Sequence, residues 1–294
     1  MTPAAPPPLA HARLQREAES LAAGLPALLL RARRLAATVA AGTHGRRRPG
    51  SGEDFWQFRH SQPGDPLTAI DWRQSGKSDH LYVRETEWTI AHTTRIWVDP
   101  SPSMRWRSQD RLEQKYHRAC LLAVALACLL EQAGERIGLL DGAGSVFFGR
   151  SAPSRLALAL IGAESGSAWP EHAVAPRSTI LLLSDFLQPL SEIAARLQRW
   201  SVAGLSGHLL QILDPAEESL PFEGRVRLRG LEEEGEIVLP HAQSLRESYR
   251  RAMEDHRDGL RALARQRGWR FSLHHTDQSA RAALTHLAFA LGRG

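Results

Sequence analysis

The sequence has little cysteine, and the two cysteines that it has cannot pair within one helix. Cys120 and Cys128 are the only cysteines among 294 residues. We predict that both lie on one helix, where eight residues of helical rise would separate them by about 12 Å, too far for a disulfide. Buried and reduced thiols are typical of a reducing compartment. The cysteine content therefore favours a cytoplasmic protein.

The motifs of several common enzyme classes are absent. The sequence has no Gly-x-x-x-x-Gly-Lys-Ser/Thr loop, which nucleotide hydrolases use to bind phosphates. It has no Gly-x-Ser-x-Gly nucleophile elbow and no cysteine and histidine spacing of a zinc site. Its adjacent histidines, His274 and His275, would point to opposite faces of a strand. We find no catalytic constellation and expect no enzymatic activity.

Long hydrophobic runs are also missing. The best candidate, residues 21–30, covers about ten residues and is interrupted by Gly24 and Pro26, whereas a spanning helix needs roughly 20. We therefore predict no integral membrane span.

Lysine is nearly absent, so arginine supplies almost all of the positive charge. Only Lys77 and Lys115 are lysines among 37 basic residues, which face 32 acidic ones. Arginine binds carboxylates and phosphates through paired hydrogen bonds. An arginine-rich nucleic-acid binder is thus one alternative, but a net charge of +5 over the whole chain is small for that role. We expect no nucleic-acid partner.

A short polar loop carries the clearest chemical signal. Asp99-Pro100-Ser101-Pro102-Ser103 directly follows the apolar run Ile96-Trp97-Val98. One carboxylate and two hydroxyls alternate in a tight loop, which we place at the carboxyl end of a buried strand. Hard oxygens of this kind suit Mg²⁺, and ligands bind at this edge of open α/β sheets. The loop indicates a metal-dependent adhesion-type site. A turn whose aspartate caps the next helix is the alternative.

A second apolar run ends in the same way. Residues 180–183 are followed by Ser184 and Asp185, which is typical of a buried parallel strand with a polar tip. If the two strands are neighbours, Asp185 faces Asp99 across the sheet edge. A further hydroxyl ligand on another loop has two candidates, Ser151 and Ser154, and we include Ser154 in the predicted metal site.

The rest of the chain alternates strands and helices, which predicts an α/β fold with a doubly wound, mostly parallel sheet. We divide the chain into a disordered start with a helical segment and a Gly/Arg linker (1–52), a small β-rich subdomain (53–92) and the α/β domain (93–294). One or two helices are expected over 11–41. The predicted core strands are 95–98, 137–141, 145–148, 179–183, 208–213 and 269–274. A hairpin is expected over 225–239. The predicted helices are 110–132, 156–161, 190–200, 242–266 and 280–291.

The β-rich subdomain contains a set of charged residues, and its strongest predicted strand is 81–90. An ion-pair network is expected among its charged side chains, which either fix the subdomain's loops or form a partner-binding surface: Asp65, Asp71, Arg73 and Arg84. We interpret Trp72 as a core anchor.

These segments together resemble one family. In the central block, the matching residues are Arg59, Gly64-Asp65, Ile70-Asp71-Trp72, Ser75, Val83-Arg84-Glu85, Asp99, Ser101 and Ser103. The distal half is similar at Gln211-Ile212-Leu213-Asp214-Pro215, Leu220-Pro221, Tyr249 and His256. Over roughly residues 50–290 the chain resembles the bacterial domain-of-unknown-function 58 family. It departs from the family at His60-Ser61, Thr68-Ala69 and Gly76-Lys77, and the usual threonine ligand of an adhesion site has no clear match.

The resemblance implies a von Willebrand factor A-like domain and a binding role. It implies Mg²⁺ held by Asp99, Ser101, Ser103 and Asp185, with one position left for a partner's carboxylate. It also implies a MoxR-type AAA+ ATPase as partner, other von Willebrand factor A-type proteins as further partners, and a chaperone-like adaptor role in assembling or activating protein complexes. A metal-dependent hydrolase or phosphatase built on the same sheet edge is the alternative.

Overall fold

A computed structural model gives the fold, and a six-stranded sheet forms its centre. It describes residues 25–40, 55–62, 67–77, 80–86, 92–140, 144–163, 169–170, 178–231 and 235–291. In spatial order the central strands are β10 (Arg270–His275), β7 (Ser206–Leu213), β6 (Ser178–Ser184), β3 (Thr93–Val98), β4 (Arg136–Leu139) and β5 (Val146–Phe147). All neighbours are parallel except β4 and β5, which form an antiparallel edge pair. The prediction of a mostly parallel α/β sheet is confirmed.

Helices cover both faces of this sheet. Their bounds are α1 (25–40), α2 (Trp72–Ser75), α3 (Lys115–Gln132), α4 (Ala152–Ile161), α5 (Leu190–Val202), α6 (Pro215–Ser219), α7 (Arg246–Gln266) and α8 (Ala280–Leu291). Leu181 and Leu183 pack with α1, α3, α4 and α8, whereas Ile180 and Leu182 pack with α5 and α7. A strand buried on both faces needs a continuous apolar run, which explains the sequence of β6.

The chain reverses its direction of travel across the sheet beside β3. From β3 it moves one way to β4 and β5, and it then returns to the other side of β3 to form β6, β7 and β10. Val98 lies opposite Leu183, and the Asp99 amide donates to the Leu183 carbonyl at 2.9 Å. In open α/β sheets this switch point is where loops diverge and leave a crevice for ligands.

The small N-terminal sheet pairs β1 (Phe55–His60) with β2 (Tyr82–Thr86) in antiparallel register. The predicted strand at 81–90 is confirmed over Tyr82–Thr86, and residues 87–90 lie outside the described residues. Trp72 is not a core anchor, because 62% of it is exposed. It begins the one-turn helix α2, while Ile70 and Val83 form the buried bridge beneath. The boundaries at 52 and 92 stay a prediction.

Most element predictions in the α/β part are confirmed, with three helix starts displaced. Helix α4 begins at Ala152, ahead of the predicted start at Leu156. The predicted hairpin at 225–239 is the pair β8 (Val226–Arg229) and β9 (Glu236–Leu239). Helix α3 begins at Lys115 instead of Asp110, because the Ser108 amide bonds to Asp214 and holds the preceding segment in a loop. Helix α7 begins at Arg246, after a 3-10 turn at Ala242–Leu245.

The state of the two cysteines and the lengths of the helices agree with what the sequence predicted. Cys120 and Cys128 are both free and buried in α3. Within the described ranges, the helices are all too short or too polar to cross a lipid bilayer.

Candidate functional site at the switch point of the sheet

Asp99 is held at the end of β3 by two hydrogen bonds. Its side chain is 1% exposed. The Ser101 amide donates to its Oδ1 at 2.9 Å, and the Ser184 hydroxyl donates to its Oδ2 at 2.5 Å. The first bond is the local turn expected of an aspartate in a Ser/Pro loop. The second crosses to the neighbouring strand, so Asp99 connects the ends of β3 and β6.

The two serines of the loop lead from Asp99 to Asp185. The hydroxyls of Ser101 and Ser103 lie 3.1 Å apart, and Ser103 donates to Asp185 Oδ2 at 2.8 Å. Ser101 and Asp185 are buried, and Ser103 is half-buried in the 3-10 turn Ser103–Arg105. The structure thus brings four of the five predicted site residues into one hydrogen-bonded group, as the neighbouring strand ends require.

The fifth predicted residue lies elsewhere in the fold. Ser154 is half-buried in the first turn of α4, which packs on α3. Among the hydrogen bonds of the described residues, none joins Ser154 to the Asp99–Asp185 group. Its metal-binding role stays a prediction.

The charged residues of the N-terminal subdomain are only partly described. Asp71 caps α2, with its Oδ1 accepting from the Gln74 amide at 2.9 Å, which fits a loop-fixing role. Arg73 is exposed. Arg84 has its backbone in β2, but its side chain and all of Asp65 lie outside the described residues. Their partner-binding role stays a prediction.

Lys115 belongs to the site, and the sequence analysis did not include it. Its side chain is fully buried at the first residue of α3. Its ammonium donates to Asp185 Oδ2 at 2.9 Å and also forms an ion pair with Glu217 on α6. One sequence signal points to this residue, since it is one of only two lysines in a chain that otherwise uses arginine. A lysine retained among arginines suggests a position where a compact ammonium is needed.

The residues of the distal half position Asp185. Gln211 in β7 donates to the Asp185 carbonyl at 2.8 Å, and His256 in α7 donates to the Phe186 carbonyl at 2.6 Å. Phe186 has a φ of 50°, in the left-handed region, although it is not glycine. Such a conformation costs about 1–3 kcal/mol and is concentrated at functional sites. The chain therefore bends sharply directly after the site carboxylate.

Helix α6 presents Glu217 to the ammonium. Asp214 caps this helix through the Ala216 amide at 2.9 Å, and Glu217 Oε2 accepts from the Asp214 amide at 2.8 Å, which completes a capping box. Tyr249 in α7 donates to the Glu217 carbonyl at 2.6 Å. Asp214 and Tyr249 were noted in sequence only through the family resemblance. Their structural role is to fix the position of α6.

Burial and neighbouring charges move the pKa values in this group. Burial raises the pKa of the Asp99 carboxyl above its ordinary value, although the bond from Ser184 opposes this change. For Lys115, burial alone would lower the pKa, but the carboxylates of Asp185 and Glu217 outweigh it and raise the pKa. The ammonium is therefore charged at neutral pH and remains a permanent cation within the site.

The site's oxygen atoms suit Mg²⁺, but its ammonium does not. Mg²⁺ prefers hydroxyl and carboxylate oxygens in octahedral geometry, and Ser101, Ser103 and Asp185 supply such atoms. However, Asp185 Oδ2 already accepts from Lys115 and Ser103. A divalent cation bound to these oxygens would lie beside a buried positive charge. With Lys115 in place, the residues do not fit a divalent cation.

Comparisons with known proteins give a family and three relatives. The family model described as "Protein of unknown function DUF58" matches residues 57–259. Uncharacterized proteins Rv1480 and MT1527 of Mycobacterium tuberculosis and Mb1516 of Mycobacterium bovis are each 27% identical over 263 residues, covering 81% of this chain and 79% of theirs.

Two solved structures show a weak likeness to this chain. One is BatB from Bacteroides thetaiotaomicron, at 16% identity and a TM-score of 0.40. The other is an aerotolerance-related membrane protein from Bacteroides fragilis, at 16% identity and a TM-score of 0.38. Each likeness covers 69% of this chain and all of the solved chain. TM-scores of this size are too low to identify a shared fold.

The family match covers the β1–β2 block, the switch-point site and the distal residues that position it, and so this chain belongs to the family of proteins of unknown function DUF58.

Proposed function

We propose that this chain is a non-enzymatic protein-interaction module that binds its partner at the switch point of the sheet. The partner that the family resemblance implies is a MoxR-type AAA+ ATPase, for which the chain would act as an adaptor. One observation supports the binding site above all others. Two adjacent parallel strands bring Asp99, Ser101, Ser103 and Asp185 into one hydrogen-bonded group where the chain reverses direction.

The hydrogen bonding of this group favours binding over catalysis. A serine nucleophile or an attacking water needs a nearby general base, and hydrogen bonds or a cation that stabilise the charged carboxylate make it a weaker base. Both Asp99 oxygens accept hydrogen bonds, and Asp185 Oδ2 accepts from a serine and a lysine. In the described part of the chain, no histidine bonds to Ser101 or Ser103. These contacts support a rigid recognition site and disfavour the hydrolase or phosphatase alternative.

The charges of the site also disfavour the nucleic-acid alternative. Asp185 and Glu217 place two carboxylates against the Lys115 ammonium, and Asp99 adds a third carboxyl group to the site. A nucleic acid presents a dense row of phosphate charges and is attracted by clusters of lysine and arginine. The site would repel such a ligand, which supports a protein partner.

The outer edge of the site is accessible to a partner. Pro102 and Ser103 are half-buried, and Leu187, two residues after Asp185, is 41% exposed. An apolar side chain beside a polar rim is typical of a contact surface between proteins. We therefore place the contact on the loops that follow β3 and β6.

A binding assay with purified proteins tests the proposal. The MoxR-type ATPase of the same organism, kept free of nucleotide, is captured on immobilised full-length chain and quantified. We expect capture by the wild type, and at least a tenfold loss with Asp99→Ala. The matched control is Asp277→Ala, which removes an exposed carboxylate after β10 at the same edge. A thermal melt establishes that each variant is folded.

The outcomes separate the two parts of the proposal. Equal capture by folded Asp99→Ala and wild type would place the contact elsewhere on the chain. Failure of the wild type to capture the ATPase under any condition would overturn the adaptor role. A change in phosphate-ester hydrolysis that depends on Asp99 would instead support the enzyme alternative.

A further inference from the structure

At the switch point, two carboxylates form ion pairs with the ammonium of Lys115. Lys115 is fully buried, and its ammonium lies 2.9 Å from Asp185 Oδ2. The same oxygen accepts from Ser103 at 2.8 Å. Because Ser103 is bonded in turn to Ser101, the ammonium joins the hydroxyl and carboxylate group that the sequence assigns to Mg²⁺. Lys115 therefore lies next to the predicted ligands.

The surroundings of the ammonium form a built cation site. Its two carboxylate partners come from separate elements, Asp185 after β6 and Glu217 in α6. Glu217 is held in position by its bond from the Asp214 amide, and Asp185 by Gln211 through the backbone. Removing an ammonium from water is costly unless such partners compensate for the lost hydration. The fold thus supplies fixed partners to this one lysine.

We propose that the Lys115 ammonium replaces the divalent cation of an adhesion-type site, so that this site is formed without metal. Both cations would serve the same purpose, which is to offset the carboxylates and hold the serine loop in one conformation. At an effective dielectric constant of about 20, a unit charge roughly 4 Å away weakens divalent cation binding by at least about 100-fold. The tethered ammonium thereby excludes Mg²⁺ from Ser101, Ser103 and Asp185.

The inference has a consequence for partner binding, and that consequence rests on the proposed function. A metal-bridged contact is lost when EDTA removes the metal. A contact at a lysine-stabilised site is retained in EDTA. We therefore expect the wild type to capture its partner equally in Mg²⁺ and in EDTA.

Manganese titration of the isolated full-length chain tests the inference directly. Mn²⁺ replaces Mg²⁺ in oxygen sites, and electron paramagnetic resonance measures its free concentration. We expect no saturable binding at this site by the wild type. Lys115→Ala removes the ammonium, leaves space among the oxygens, and should bind Mn²⁺ at least about 100-fold more tightly. Lys77→Ala is the matched control, because it removes the only other lysine, which is exposed.

A second variant covers the case in which Lys115→Ala does not fold. The double variant Lys115→Ala and Glu217→Gln also removes the Glu217 charge, so that only Asp185 loses its ion-pair partner. It retains Asp185 and both serines. It should also bind Mn²⁺ more tightly than the wild type, and Mn²⁺ should raise its melting temperature. The wild-type melting temperature should not respond to Mn²⁺ or to EDTA.

Two results would overturn the inference. One is saturable Mn²⁺ binding by the wild type that Asp185→Asn abolishes. The other is a folded Lys115 variant that binds Mn²⁺ no better than the wild type. The titration needs no partner, so failure to find an ATPase would overturn the proposed function and leave this result standing.

Discussion

The switch-point site and the aromatic row below it are both buried, but they are stabilised by different physics. The aromatic row consists of Trp97, Trp169, Trp200 and Trp269, with successive ring centroids 5.0, 6.4 and 5.8 Å apart. Its stability comes from buried apolar area and ring contacts. The switch-point site instead buries charges, whose desolvation cost can exceed their attraction.

The difference indicates which region the protein keeps for stability and which for function. An apolar cluster of the same volume could replace a buried ion pair with little loss, and often with a gain, in the free energy of unfolding. Lys115, Asp185 and Glu217 are therefore poorly explained as a stabilising device. A rigid polar site at a sheet edge, reached from solvent through Ser103, is better explained by ligand recognition.

The largest expected effect comes from breaking the buried ion pairs. Lys115→Met leaves Asp185 and Glu217 as uncompensated buried carboxylates, and we expect a loss of about 4 kcal/mol in the free energy of unfolding. Urea denaturation measures it, with Lys77→Met as the control. A loss as small as that of the control would show that solvent, and not Lys115, compensates for the charges of Asp185 and Glu217.

A neutral version of the site sharpens this comparison. Lys115→Met combined with Asp185→Asn and Glu217→Gln removes all three charges, and most of the lost stability should return. The binding of the partner should not return with it. Recovery of both properties would show that the charges have no functional role.

Truncation in the aromatic row should be costly in a different way. Trp200 is 7% exposed and stacks on Trp269 with an interplanar angle of 17°. Trp200→Ala should cost about 3 kcal/mol through lost packing and a cavity. Because no charge is involved, the loss measured by urea denaturation should be the same at low and high salt. Trp72→Ala is the control, since that ring is 62% exposed.

Acid should weaken the fold through two histidines outside both regions. Burial lowers the pKa of His208 and of His274 to about 4. Between about pH 4 and pH 6.5 the unfolded chain binds protons that the folded chain does not, so stability falls as the pH falls. We expect a loss of about 1–2 kcal/mol for each histidine between pH 7 and pH 5.

Replacing these histidines isolates their contribution. The double variant His208→Gln and His274→Gln should show a flatter dependence of the free energy of unfolding on pH over the same range. If the acid loss stays unchanged in this variant, its source becomes carboxyls such as Glu113 and Glu218, whose pKa values the bonds from arginine lower in spite of their burial.

The smallest expected effect on stability comes from the loop serine. Ser103→Ala removes the donor to Asp185 Oδ2 at the accessible rim, and it should cost about 1 kcal/mol. Partner capture should fall by more than this stability loss explains, because the hydroxyl lies at the proposed contact surface. Equal capture by Ser103→Ala and the wild type would show that the rim at Ser103 is not part of the binding site.

Much of the fold and part of the site could be predicted from local patterns. The apolar runs before Asp99 and Asp185 predicted two buried strands with polar tips, and both strands are confirmed. Their adjacency, which the sequence left open, is given by the structure. Predictions failed where distant contacts override local preference. The start of α3 depends on Asp214, more than 100 positions away. Trp72 is exposed, and Ile70 and Val83 are the buried apolar residues of its block.

By itself, the sequence determined the strand and helix periodicity, the free state of Cys120 and Cys128, and the polar residues that follow β3 and β6. Only the tertiary structure decided which charges meet. Lys115 reaches Asp185 and Glu217 because the parallel strands, α3 and α6 converge at the switch point. No spacing along the chain encodes that contact, since its partners are 70 and 102 residues away. Long-range packing therefore places the Lys115 ammonium beside the oxygen atoms that the local sequence pattern had assigned to Mg²⁺.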